Sequence, residues 1–189
     1  MFDRAFAATM GREGGYVDHP DDPGGETYRG IARRSHPDWE GWSRIDLYKD
    51  SSAFPDVLDS DAYIKTAVRE LYRRTYWQPV GGDQYTSPTV ASEMFDMAVH
   101  MGVKRAILFL QRALNALNRE GELYDNITED GDFGPQTSST LEAYRQAEAP
   151  GFLHKLLLIQ RGAFYLDITR RRERSETFLR GWLRRVVMR

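Results

Sequence analysis

Acidic, hydroxyl and aromatic side chains crowd a glycine-rich stretch near the start of the chain: Glu13-Gly14-Gly15-Tyr16, His19-Pro20, Asp22-Pro23-Gly24-Gly25 and Thr27-Tyr28-Arg29-Gly30-Ile31. Residues of these types suit acid-assisted cleavage of a glycosidic bond. That chemistry needs a carboxylic acid to protonate the leaving oxygen. It also needs a second group to stabilise the oxocarbenium-like transition state or to activate water. The acid must stay protonated near neutral pH, which requires a pocket that withholds water. Glu13 is the candidate acid. It stands at the end of a helical pattern, where the helix dipole does nothing for a carboxylate, and the two glycines after it remove bulk from the approach of a sugar. Taken singly, these signals have bland readings: Glu-Gly-Gly ends helices, and Asp-Pro-Gly-Gly makes turns. Tyr16, Tyr28, Trp39 and Trp42 are candidates for stacking on sugar faces, or else core and rim aromatics.

The elements that position this stretch are mostly helical. Phe2, Ala5, Phe6 and Met10 recur at helical spacing and predict a first helix over 2–12, closed by Gly14-Gly15. Residues 17–31 hold too much Pro, Gly and Asp for helix and predict a long loop with a short hairpin over 26–31. Ser60 is the expected N-cap of a helix whose buried face carries Tyr63, Ile64, Ala67, Val68, Leu71 and Tyr72. Ser87 with Pro88 opens the next helical stretch, which runs to about Asn118 with an interruption near Gly102. A polar loop over 120–133 follows, then helices from Gly134-Pro135 to about Ala147, over 152–172 and over 176–189, with Pro150-Gly151 as a breaker. The best internal boundary lies between Val80 and Pro88, dividing a region over 1–85 from one over 86–189.

Composition narrows the chemistry. The 189 residues are 41% hydrophobic and 29% charged, with net charge -2 and no cysteine, so disulfides, thiolate catalysis and zinc–thiolate sites are excluded. His19, His36, His100 and His154 lack metal-ligand spacing, and the acidic loop lacks a calcium-loop pattern, so no metal or cofactor is expected. The N-terminal residues carry no secretory signal pattern, and no apolar run is long enough to cross a bilayer. The expectation is a chain made in the cytoplasm that reaches an external substrate only after another protein, such as a holin or secretion machinery, releases it. From Arg161 onward, nine arginines face Asp167, Glu173 and Glu176. This run reads as a solvated helix face, or as weak contact with a membrane or anionic wall polymer. Nucleic acid is disfavoured by the small overall charge and the lack of a recognised motif.

The ordered stretch from Glu13 to Ile31 resembles the signature of glycoside hydrolase family 108, whose members are N-acetylmuramidases of phage endolysins and secretion systems. The resemblance implies that Glu13 is the essential acid. It extends to phage-type lysozymes, which use a Glu, an Asp and a Thr in similar order. On that analogy Asp22 orients or activates water, Thr27 holds it, and Tyr16, His19 and Tyr28 are candidate substrate contacts. Phe95-Asp96-Met97-Ala98-Val99-His100-Met101-Gly102, Leu110-Gln111 and Asp130-Gly131-Asp132-Phe133-Gly134-Pro135-Gln136-Thr137 resemble the predicted peptidoglycan-binding region of the same family. Asp130 and Thr137 are then candidate wall contacts; the alternative is that this motif only caps and positions a helix. Gln111 reads as a helix-surface or packing residue. Phe178, Gly181, Trp182 and Arg185 match the family's C-terminus.

The expected fold is mainly α and lysozyme-like, with a short β-hairpin near the active-site loop. The expected reaction is hydrolysis of the β-1,4 bond between N-acetylmuramic acid and N-acetylglucosamine in bacterial peptidoglycan, in the service of cell lysis. A lytic transglycosylase, or a non-catalytic wall-binding or secretion-accessory protein, remains the alternative. A separation of about 5–5.5 Å between Glu13 and its partner group implies retention, and a wider gap inversion; the phage-type analogy favours inversion.

Overall fold

A computed structural model describes residues 1–11, 14–19 and 25–187. Among them the chain forms eight α-helices and one three-stranded antiparallel sheet, the mainly α, lysozyme-like architecture expected. Helix α1 (Phe2–Met10) buries Phe2, Ala5, Thr9 and Met10. It stops at Gly11, which stays in the right-handed helical region (φ -63°). The glycine pair at Gly14-Gly15 therefore does not close the helix. It belongs to the approach to β1 (Tyr16–Val17), and both glycines are exposed.

Strand β1 pairs with β2 (Thr27–Tyr28), and β2 with β3 (Ile31–Ala32). The β2–β3 connection is a two-residue turn with Arg29 at φ 46° and Gly30 at φ 78°. A hairpin turn with both central residues left-handed matches the twist of its strands, but it strains any non-glycine residue. Arg29 is held there from both ends. Its guanidinium bonds Asp59 Oδ1 at 2.7 Å, and its carbonyl accepts the Tyr72 hydroxyl at 2.9 Å.

After α2 (Gly41–Asp46), α3 (Ala62–Tyr72) is capped by Asp61, one residue later than expected. The Asp61 carboxylate accepts from Ile64 N at 2.9 Å, from Tyr48 and from Arg44, while Ser60 donates to Val57 O. A carboxylate satisfies three donors here where a single hydroxyl cannot. Helix α3 runs on into a π-helical turn over Arg73–Trp77, which drives Trp77 into the interior. There Phe2, Tyr72, Trp77 and Phe95 share one aromatic cluster.

Helix α4 (Pro88–Met101) is capped by Ser87, and α5 (Val103–Ala116) follows across Gly102 at φ 87°. The break falls where the chain needs a backbone conformation that side chains resist. Helix α6 (Pro135–Ala147), α7 (Pro150–Arg171) and α8 (Glu176–Val187) complete the chain. Pro150 does not separate α7 from what precedes it by breaking a helix; it occupies the first position of α7, where its missing N–H costs nothing. A single apolar core runs from Phe2 to Leu157.

Candidate active site

The sheet brings the strand that follows Glu13 beside Thr27. Tyr16 lies opposite Tyr28, and Val17 opposite Thr27. Gly15 O also accepts from Arg29 N at 3.2 Å. Glu13 and Asp22 themselves lie outside the described residues. Thr27 is half-buried on β2, and its hydroxyl donates to Gly25 O at 3.0 Å. His19 is exposed on the loop after β1.

Tyr16 is held in place rather than displayed. Its ring packs edge-on against Phe54 at 4.7 Å, and its hydroxyl donates to Glu26 Oε1 at 3.0 Å. Burial, reinforced by the Glu26 carboxylate, pushes the phenol up to about 12, so it remains a donor throughout the physiological range. Tyr28 is only 1% exposed, and its hydroxyl reaches Asp59 at 3.2 Å. Its ring faces are closed to a sugar; Tyr28 is a core residue of the sheet. Trp39 and Trp42 are likewise buried, packed edge to face at 5.1 Å, with their indole N–H groups on Ala67 O and His36 O. Stripes of aromatic residues more often fill cores than bind ligands, because each ring removes a large apolar area from water.

Glu26, which sequence reasoning did not single out, is the hub beside Thr27. Besides Tyr16 it holds Arg33 Nε at 2.6 Å and Lys49 Nζ at 2.9 Å. Arg33 and Lys49 both also pair with Asp46, and the Arg33 guanidinium lies 4.5 Å over the Trp42 ring. Two carboxylates and two cations thus balance. Glu26 accepts the Tyr16 hydroxyl and ion-pairs with both cations, which makes it a brace for β1 and β2. Nothing in its spacing separates it from the other acidic residues nearby; its role depends on Arg33 and Lys49 arriving from the following segment.

A second polar cluster anchors the end of α1. Thr9 donates to Asp96 Oδ1 at 3.4 Å. Asp96 and Glu93, both on α4, are fully buried and ion-pair with fully buried Arg161 of α7 at 2.6 and 2.7 Å. Arg161 Nε donates to Tyr165 Oη at 2.9 Å. Arg185 of α8 lies 3.6 Å from the same Asp96, and His100 Nδ1 lies 2.7 Å from the Asp96 carbonyl. Burial by itself would lower the guanidinium, but Glu93 and Asp96 hold Arg161 above its ordinary range. Arg161 and Arg185 therefore leave the basic face assumed for the C-terminal arginines. They tie α7 and α8 to the helix beneath α1, the element that leads to Glu13.

The Asp130–Thr137 motif is organised around Gln111. The Gln111 amide donates to Asp130 Oδ1 (2.8 Å), Asp132 O (3.1 Å) and Thr137 Oγ1 (3.0 Å), and its carbonyl accepts from Gly131 N (2.9 Å). Gln111 is buried, not a surface residue of α5. The Gln111 amide, with Asp132 N, holds the Asp130 carboxyl below the usual range. Thr137 is 2% exposed and also donates to Asp132 O. Its hydroxyl is spent inside the protein, so the structure gives Thr137 an architectural role. Phe133, from the same loop, covers Gly81, where a Cβ would lie 2.3 Å from the ring. Among the described residues no group of His, Asp and Glu is arranged to hold a metal ion.

Residues 6–102 match the family model described as Glycosyl hydrolase 108, and residues 105–187 match the one described as Predicted Peptidoglycan domain. A solved structure, that of Brucella abortus SagA, is 30% identical, with a TM-score of 0.62; the alignment covers 98% of this chain and 88% of that one. No curated protein matches.

Proposed function

Because the chain belongs to the glycosyl hydrolase 108 family and is a glycoside hydrolase acting on peptidoglycan, we propose that it cleaves the β-1,4 bond between N-acetylmuramic acid and N-acetylglucosamine with Glu13 as general acid. The observation that carries this reading is the β1–β2 pairing, which sets Thr27 beside the strand that begins three residues after Glu13. In the proposed reaction Glu13 gives its proton to the glycosidic oxygen as the bond to the muramic anomeric carbon breaks. Water held between Asp22 and Thr27 adds to that carbon and loses its proton to Asp22. Glu26, locked to Arg33 and Lys49, keeps β2 in place while charge develops at the sugar. Removing the developing proton acceptor or donor in such a site costs orders of magnitude in rate.

The proposed setting is lysis, with the enzyme reaching periplasmic wall after release by a holin or secretion system. The deciding experiment compares wild type with Glu13→Gln on purified peptidoglycan and weighs the products. We expect reducing muramic ends from wild type, and a loss of at least a hundredfold in the variant with thermal melting unchanged. Anhydromuramic ends would assign a transglycosylase instead. A Glu13→Gln protein as active as wild type would remove Glu13 from the mechanism.

A further inference from the structure

Helix α7 packs against α4, α5 and α8, and its remaining face carries a row of large apolar side chains. Phe152, Ile159 and Leu166 follow at intervals of seven residues, so they stack along one stripe. They are 64%, 64% and 46% exposed. At 1.5 Å per residue the stripe is about 21 Å long. Cations frame it. Lys155 lies within the stripe's span, Arg170 comes one helical turn after Leu166, and Arg172 and Arg174 follow in the link to α8; all four are exposed. Of the nearby carboxylates, Asp167 is paired with Arg171 at 2.9 Å, which leaves Glu173 and Glu176 against the arginines of the link. The face is therefore both apolar and positively charged. No helix among the described residues is long and apolar enough to cross a membrane.

We propose that the Phe152–Leu166 stripe and the Arg170–Arg174 link dock this enzyme on the surface of an anionic phospholipid bilayer. Charge complementarity selects this occupant. Guanidinium groups pair with lipid phosphates, while an adjacent row of large apolar side chains enters the boundary between headgroups and acyl chains. A soluble anionic wall polymer engages the arginines but leaves the stripe in water. A second copy of the chain, meeting this face with its own, sets one arginine link against another. Docking would hold the hydrolase at the membrane surface that faces its wall substrate.

The test is co-sedimentation of the full chain with phosphatidylcholine vesicles, with and without phosphatidylglycerol, at about 0.1 M salt. Two variants accompany wild type: Ile159→Ser/Leu166→Ser, and Arg170→Gln/Arg172→Gln/Arg174→Gln. Each arginine near an anionic surface is worth about fivefold in partitioning, so the triple variant loses about a hundredfold. The serine pair loses about tenfold or more. Both should keep wild-type melting and wild-type hydrolysis of purified peptidoglycan, which separates this proposal from the assignment of Glu13. Absence of binding to phosphatidylglycerol vesicles, or binding indifferent to either variant, overturns it. So does a concentration-dependent dimer that the serine pair dissolves, or retention on purified wall polymer without any vesicle binding.

Discussion

Removing Arg161 should be among the most damaging single changes in this protein. The side chain is fully buried and donates to Glu93, Asp96 and Tyr165. At an effective dielectric constant near 20, each close ion pair is worth about 4 kcal/mol before desolvation. Taking the guanidinium out of water cancels several kcal/mol of that gain. The net value of keeping the cluster is therefore modest, but breaking it is costly, because Arg161→Met leaves two carboxylates buried. Thr9 at 3.4 Å and Arg185 at 3.6 Å remain near Asp96, and neither reaches the 2.6 Å contact that is lost. The expected destabilisation is about 3–5 kcal/mol, a large part of a stability of roughly 5–15 kcal/mol. Urea unfolding of the variant beside wild type measures this loss. The triple variant Glu93→Gln/Asp96→Asn/Arg161→Met should regain much of the loss, since a wholly neutral cluster carries no stranded charge. A loss below about 1 kcal/mol would refute the reasoning.

Two further outcomes follow from other clusters. Gln111→Leu removes the amide that joins Asp130, Asp132 and Thr137 and strands Gly131 N, while Thr137 keeps its bond to Asp132 O; it should cost about 2–4 kcal/mol by denaturant unfolding, with the 130–137 backbone losing hydrogen-exchange protection. Asp61→Ala removes the α3 cap and should cost about 1–2 kcal/mol at neutral pH. The Ile64 amide, then the Tyr48 hydroxyl and Arg44, depress Asp61 to about 2, so this difference from wild type is full above about pH 4 and fades as pH falls toward about 2.

Local signals were legible where a single residue dictates backbone geometry or helix ends. Ser87-Pro88, Gly102 and Gly134-Pro135 each mark a helix boundary where expected. The hairpin over 26–31 exists, shifted by one residue to 27–32. The cap at Ser60 moved to Asp61 because Tyr48 and Arg44, from the preceding segment, reward a carboxylate there. The helix expected over 2–12 stops at Met10, a difference within the ordinary fraying of helix ends.

The acidic, glycine-rich stretch carrying Glu13 and Thr27 marked this chain as a glycoside hydrolase through its resemblance to a known family, because a resemblance of that kind needs only the order and spacing of residues along the chain. Its periodic apolar residues likewise determined a mainly helical molecule. Tertiary structure decided what each polar or aromatic side chain does. Arg161 left a run of surface arginines for the interior because Glu93 and Asp96, more than sixty residues earlier, wait there. Tyr28 became core, Gln111 a hub and Glu26 a brace for the same reason. Burial and ion pairing are set by partners distant in sequence, and only folding brings those partners within reach.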